Sequence, residues 1–290
     1  MSEPRTVKAL LELGERVMAD STHIFDDHDN LDEAEELLAL CLDVDPDDLE
    51  DPFEPPRRVR ERYLSLVARR AGGEPLPFLT GHIEFYGLDL KVRPGAFVPR
   101  PSSELTVARA LRVAKRRRKP VIVDVCAGAG PIALAIGDEI PDAEVWGADI
   151  SEEGISQGRL NARRLGIDNV TLKVGDMYAP LPKRLMGKVD VIVGHVPYVP
   201  ADEIADLPSE VREFEPMYTL TDDSDGTFLM RRAIFEGVPW LKPGGWMLLE
   251  VAPDLPRMVK GIYREAGLEQ LQVGSDNDDL SITVEGRRPR

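Results

Sequence analysis

A chain of 290 residues with 42% apolar content is long enough for one large domain, or an ordinary domain with a small companion, and apolar enough to bury a real core. Its net charge of −16 opposes binding to phosphate backbones, so no nucleic-acid partner is expected, and no stretch approaches the roughly eighteen uncharged apolar residues of a membrane span. Cys41 and Cys126 are far apart and lack metal-ligand spacing, which supports neither a disulfide framework nor a bound metal.

The opening segment, MSEPRTVKALLELGERV, is a charged amphipathic pattern and not a basic, apolar, cleavable leader, so the expected compartment is the cytoplasm. Apolar residues recur at helical spacing in three runs: Val7, Leu10, Leu11 and Leu13; Leu31, Ala34, Leu37, Leu38 and Cys41; Val59, Tyr63, Leu66 and Val67. Asn30 is the expected N-cap of the second helix, and Pro46, Pro52, Pro55 and Pro56 interrupt the chain before the third. These runs predict a small helical domain over residues 1–73. Between Asp20 and Glu54 there are fifteen acidic residues and no lysine or arginine, so this segment carries almost the whole charge excess. Solubility is the plain explanation, and attraction of a basic partner the functional one. Residues 74–104 contain HIEFYGLDLKVRPGAFVPRP, whose alternation and turns predict a β-hairpin linking the two parts. The basic run Lys115–Lys119 fits a solvated helix end ahead of the first sheet strand.

Over residues 105–290 strands alternate with helices. The apolar runs 121–127, 144–150, 170–176, 189–195 and 245–252 have the continuous character of parallel strands covered on both faces. Ser151 caps a predicted helix carrying Ile155, Ala162 and Leu165, and another helix is expected over about 226–241. Runs at 268–274 and 280–286, joined by GSDNDD, predict an antiparallel edge. The fold class is therefore α/β, a doubly wound Rossmann-like sheet whose ligands lie beyond the carboxyl ends of its strands.

The first strand-to-helix turn is Asp124-Val125-Cys126-Ala127-Gly128-Ala129-Gly130. Its glycines let the backbone turn tightly and approach a ligand that a Cβ would block. Asp149 follows Gly128 by 21 residues at the end of the second strand, where a carboxylate can accept both hydroxyls of a ribose. The same stretch satisfies the dinucleotide pattern G-x-G-x-x-A, so a nicotinamide-dependent dehydrogenase and a purely structural turn both remain open at this point. Gly175-Asp176-Met177, ending the third strand, offers a carboxylate for an adenine amino group and an apolar side chain for the ring. At the end of the fourth strand, His195-Val196-Pro197-Tyr198 forms a proline-stiffened aromatic loop. Hydride transfer has no use for such a loop, whereas methyl transfer needs a wall that points a nucleophile at a sulfonium carbon.

On these motifs the sequence resembles the protein N5-glutamine methyltransferases that modify peptide release factors. The likeness extends from the helical N-terminal part to the final strands. It rests on Pro75 to Gly81, on Phe97-Val98-Pro99-Arg100-Pro101 with Glu104, on the Asp124 to Gly130 turn, on Glu213-Phe214-Glu215-Pro216 and on Leu220 to Gly226. The resemblance implies a class I S-adenosylmethionine-dependent methyltransferase sheet. It implies cofactor contacts from Gly128, Gly130, Asp149 and Asp176, with Phe97 and Arg100 lining the pocket. Asp124, Ile150, Met177 and His195 complete the implied cofactor-binding set, and His195, Pro197 and Tyr198 the catalytic one.

One departure bears on the chemistry. The family's Asn-Pro-Pro-Tyr stands here as His195-Val196-Pro197-Tyr198. An asparagine amide presents an acceptor and a donor in one plane, matching a target glutamine amide, whereas a neutral imidazole presents them on opposite edges but can accept a proton. Losing the first proline also frees φ at Val196, so the loop is expected to relax. Three readings follow: an inactive S-adenosylmethionine-binding protein, a release-factor glutamine methyltransferase with altered contacts, and, preferred, a methyltransferase retargeted to another nucleophile on a small metabolite or modified peptide, with His195 as base or orienter. In the active readings Tyr198 walls the acceptor and the Pro197 carbonyl is an acceptor for an incoming N–H or O–H.

Overall fold

In chain order the elements of the computed structural model are helices α1 (Val7–Ala19), α2 (Asn30–Leu42), α3 (Arg57–Ala71) and the short α4 (Leu76–Thr80), then strands β1 (His82–Phe85) and β2 (Leu88–Lys91). They continue with α5 (Ser103–Ala114), β3 (Val121–Val125), α6 (Pro131–Glu139), β4 (Glu144–Asp149), α7 (Glu152–Leu165), β5 (Val170–Val174), β6 (Val189–His195) and α8 (Ser209–Phe214). The last are α9 (Phe228–Gly237), β7 (Leu241–Val251), α10 (Pro256–Glu265), β8 (Glu269–Ser275) and β9 (Ile282–Arg287). The structure describes residues 4–24, 29–276 and 282–290, so Asp26 and Asp27 of the acidic segment and the last three residues of the predicted GSDNDD connection lie outside the described residues. The chain divides into two compact units, one of Met1–Ile83, Val92–Pro94 and Ala205–Glu215, the other of Glu84–Lys91, Gly95–Ile204 and Pro216–Arg290.

The first unit packs α1, α2 and α3 around Leu10, Ala34, Leu37, Leu38, Tyr63 and Val67. Leu31, expected in this core, is instead 39% exposed, because the helix begins one turn earlier than its buried face. The cap of α2 is Asp29 and not Asn30: its Oδ1 accepts the Leu31 and Asp32 N–H groups at 3.0 and 3.2 Å, and Asn30 is already helical. Tyr63 donates to the Leu10 carbonyl at 3.1 Å, and Gly14 leaves the room this requires, since a Cβ there would come within 2.0 Å of the phenol oxygen.

Arg70 is the largest fully buried side chain of this unit. Its Nε and Nη2 donate to Glu33 at 2.7 and 3.0 Å, and its Nη1 donates to Glu210 of α8 at 2.6 Å. Glu33 therefore corrects the picture of an acidic segment without compensation. Part of that segment builds the core through Arg70, and Asp29 and Asp45 cap local helices.

In the second unit the hairpin turns at Tyr86 and Gly87, both at positive φ, as a two-residue hairpin connection requires. Glu104 of α5 accepts the Tyr86 N–H at 2.7 Å. The hairpin is shorter than predicted. Pro75 to Thr80, read as part of it, forms α4 because Pro75 and Pro77 sit at helix-starting positions. The main sheet has the order β5-β4-β3-β6-β7-β9-β8, parallel from β5 to β7, with β9 antiparallel to both its neighbours. Chain order reverses beside β3, which puts the switch point, and the crevice for a ligand, at the carboxyl ends of β3 and β6. The register there is Val125 opposite Gly194, and a Cβ on Gly194 would meet the Val125 carbonyl oxygen at 2.6 Å. That close approach explains the glycine before His195.

Removing the Arg70 guanidinium leaves two carboxylates without their buried counter-charge. Arg70→Leu in the full chain is expected to lower the stability of the first unit by about 3–5 kcal/mol in urea unfolding, the cost of breaking one half of a buried ion pair. Unchanged unfolding would show that the pair contributes nothing.

Candidate active site

The turn after β3 is built for a ligand's close approach. Gly128 lies at φ +55° and the space where its Cβ would stand is open, while Gly130, at φ +74°, closes onto Leu172 and starts α6. Asp149, at the end of β4, ties this turn in place: its Oδ2 accepts the Gly128 N–H at 2.7 Å and its Oδ1 the Ser151 N–H at 2.8 Å. Each oxygen keeps lone pairs for hydroxyl donors. Ser151 caps α7 as predicted, accepting the Gly154 N–H at 2.9 Å.

Asp124 is 1% exposed; its Oδ2 accepts the Ala133 N–H at 3.2 Å, and its Oδ1 has no hydrogen-bond partner among the described residues. Burial pushes this carboxyl well above the ordinary carboxylate range, the Ala133 N–H opposes the shift and nearby Asp149 adds to it. Asp149 is raised for the same first reason, with its backbone donors pulling the other way. The Cys126 thiol is also pushed well up, chiefly by burial and then by the charges of Asp149, Asp124 and Asp176. Ile150, 54% exposed beside Asp149, presents an apolar face suited to a purine. An orphaned buried oxygen, an open glycine cradle and a diol-ready carboxylate together fit S-adenosylmethionine.

Two residues of the expected set are placed otherwise than the sequence suggested. Met177 is 4% exposed and packs into the sheet core. Asp176 is engaged by Arg232 of α9, whose Nη1 and Nη2 donate to its two oxygens at 3.1 and 2.8 Å. Nothing in the sequence signals that pairing.

His195 ends β6 inside an aromatic cluster: it stacks on Tyr198 with ring centroids 5.6 Å apart and meets Phe97 edge-on at 5.3 Å, while Arg100 lies 4.6 Å over the Phe97 ring. Strand register sets Glu250 of β7 opposite His195. The imidazole Nδ1 is 3.6 Å from Glu250 Oε2 and 3.4 Å from Ser103 Oγ, and Ser102 Oγ donates to Glu250 Oε1 at 2.8 Å. Glu250 is 3% exposed and its Oε2 has no hydrogen-bond partner among the described residues. Sequence reasoning missed Glu250, although it is the one charge in the run GWMLLEVA. Tyr198 is pushed up to about 12, first by burial and then by Glu250, against Arg100, so it stays a neutral phenol.

The loop expected to relax at Val196 is anchored there, since the side chain is fully buried in the core. Pro197 is half-buried. Val199 bridges to Thr221, and Gly226, at φ +74°, passes so close beneath Tyr198 that a Cβ would come within 2.1 Å of its carbonyl oxygen. Asp222 holds that segment by accepting the Gly226 N–H at 3.0 Å and the Phe228 N–H at 2.7 Å. Glu213, in α8, belongs to the first unit. Tyr218, also missed, donates to Ser151 Oγ at 3.2 Å.

A family model described as a methyltransferase domain matches residues 117–233. The chain is 34% identical over 257 residues to the release factor glutamine methyltransferase of Geobacter sulfurreducens, covering 88% of each protein. The chain belongs to the release factor glutamine methyltransferase family. Among solved structures it is similar to a methyltransferase from Pyrococcus furiosus (TM-score 0.50, 16% identity, 70% of this chain and 90% of that one). It is also similar to the Thermus thermophilus 16S rRNA N2 G1207 methyltransferase in complex with AdoMet and guanosine (TM-score 0.52, 16% identity, 72% and 50%). These two likenesses speak for the fold alone. As a member of the release factor glutamine methyltransferase family the chain is an S-adenosylmethionine-dependent methyltransferase, and the dehydrogenase alternative for the glycine turn falls away. No helix among the described residues is long and apolar enough to cross a membrane.

Asp149→Ala removes the brace of Gly128 as well as an acceptor for the ligand. Calorimetry is expected to show S-adenosylmethionine binding weakened at least tenfold, roughly the worth of one charge-assisted hydrogen bond. Asp124 yields a second test with a defined sign. Because its carboxyl is raised in the folded chain, the folded state binds more protons, and stability falls as pH climbs from the ordinary carboxylate range through the raised value. Asp124→Asn should remove that slope, so the variant gains stability over wild type at pH 8 but not at acidic pH. Parallel pH profiles in urea unfolding would contradict the assignment.

Proposed function

We propose that this methyltransferase acts on a nucleophile other than a glutamine carboxamide, and that His195, oriented by Glu250, takes up the proton which that nucleophile gives up. The observation that carries this is the buried Glu250 Oε2 without a hydrogen-bond partner, 3.6 Å from His195 Nδ1. A carboxylate on that side favours the tautomer with the proton on Nδ1 and leaves Nε2 as the acceptor nitrogen. Ser102 holds the far oxygen of Glu250 and Ser103 adds a polar neighbour to Nδ1, so the imidazole is positioned from behind.

The cofactor supplies a methyl group on a positively charged sulfur. Gly128, Gly130, Asp149 and Ile150 are assigned to hold it, with the orphaned Asp124 Oδ1 behind the turn. Asp176 can reach an adenine amino group once Arg232 shares or yields it. Tyr198 and Phe97 wall the acceptor and exclude water, and holding the nucleophile about 3–3.5 Å from the methyl carbon supplies much of the acceleration. The Pro197 carbonyl orients the incoming N–H or O–H. The acceptor is a small molecule or a modified peptide, and the helical first unit, with its acidic surface, is the partner-facing module.

A second reading has its own support. The identity to release factor glutamine methyltransferases spans nearly the full chain, including the first unit, which favours a release-factor glutamine as acceptor. The variants separate the two. Under the proposal His195→Ala lowers turnover on the true acceptor by about 10²–10⁴-fold with cofactor affinity little changed. Glu250→Gln lowers it by about 10–100-fold, as loss of an orienting carboxylate does, and His195→Asn stays poor. With labelled S-adenosylmethionine and a panel of release factor beside amine- and hydroxyl-bearing small molecules, efficient methylation of the release factor by wild type and by His195→Asn alike would overturn the proposal in favour of the second reading.

A further inference from the structure

Toward the amino ends of β6 and β7, where Trp246 is in register with Val191 rather than with His195, a separate cleft of about 240 Å³ is lined by Val113, Arg116, Arg117, Trp246, Arg287 and Arg290. Four guanidiniums thus gather on a chain whose net charge is −16. Two of them converge on a single acceptor: Arg117 Nη2 and Arg287 Nε donate to the Gly244 carbonyl at 3.0 and 3.2 Å.

Their charges are poorly offset. Arg117 faces Asp190 at 3.8 Å, and that carboxylate is shared with Lys242. Arg287 spends Nη1 on the neutral Gln270 amide at 3.1 Å. Arg116 and Arg290 are exposed, and neither enters an ion pair among the described residues. Like charges held this close repel, so the cluster favours an anion that would bridge them. Guanidinium forks match phosphate oxygens. The Trp246 ring, with the Arg287 guanidinium 5.5 Å from its centre, adds an aromatic face on which a base can stack.

We propose that this cleft binds a nucleoside monophosphate, with the phosphate on Arg116 and Arg290 and the base against Trp246. A cleft of about 240 Å³ ringed by four arginines matches one nucleotide in size, which selects a small phosphorylated ligand over a nucleic-acid strand. This site shares no residue with the methyl-transfer site.

The test is calorimetric titration of the full chain with AMP, with S-adenosylhomocysteine present in saturating amount to occupy the catalytic pocket. AMP is expected to bind, inorganic phosphate at least about tenfold more weakly for want of stacking, and adenosine more weakly still. The double variant Arg116→Gln/Arg290→Gln, at two side chains that enter no ion pair among the described residues, should weaken AMP by at least about tenfold. Trp246→Phe should keep the preference for AMP over phosphate, and Trp246→Leu should erase it. No AMP binding at millimolar concentration, or unchanged affinity in the double variant, would overturn the proposal. A tetraribonucleotide binding more tightly than AMP would overturn the choice of a mononucleotide.

Discussion

The contact on which the site depends is backbone against backbone, Gly194 of β6 against the Val125 carbonyl of β3. At that spacing no side chain fits, and the two strand ends that carry the glycine turn and the His195 loop emerge side by side. The next strand extends the logic, since β7 enters in register and sets Glu250 opposite His195. Three consecutive parallel strands therefore place a glycine turn, an imidazole and a carboxylate side by side. Loops then finish the wall, with Gly226 beneath Tyr198 and Asp222 holding the segment that follows.

Burial of acids is the recurring electrostatic device. Asp124 and Glu250 each present one oxygen to a donor and leave the other unpaired in the interior, which is costly unless a ligand or a protonated partner faces it. Asp149 sits between those extremes, braced by two backbone donors yet open to more. In the first unit the same device is used for architecture, where Arg70 satisfies Glu33 and Glu210. The acidic composition is thus divided between surface charge, helix caps and buried pairs.

Much of this was legible in the sequence because periodicity and turn chemistry are local. The parallel strands, the Ser151 cap, the two-glycine turn and the antiparallel end of the sheet follow from runs that can be counted along the chain. Side-chain partners across strands are not local. Glu250 declared itself only as a lone charge in an apolar run, and its meaning needed the register with His195. The grip of Arg232 on Asp176 joins the end of β5 to α9 with no pattern linking them, and the burial of Met177 in the core depends on how the turn after β5 folds. Asp29 displaced Asn30 as a cap because either residue type suits the position, and only geometry chooses. The basic run after α5 did prove to be a helix end, but its company with Trp246 and Arg287 depends on strands far along the chain.

The loop that carries His195 is anchored by Val196, whose side chain is fully buried in the core. A loop so held can carry an imidazole in one orientation, and that orientation is the centre of the account. Nitrogen NMR of the protein labelled at histidine measures it directly. The account predicts that the neutral His195 ring carries its proton on Nδ1 and is bare at Nε2, with that preference lost in Glu250→Gln. A ring protonated at Nε2, or a tautomer indifferent to Glu250, would contradict it.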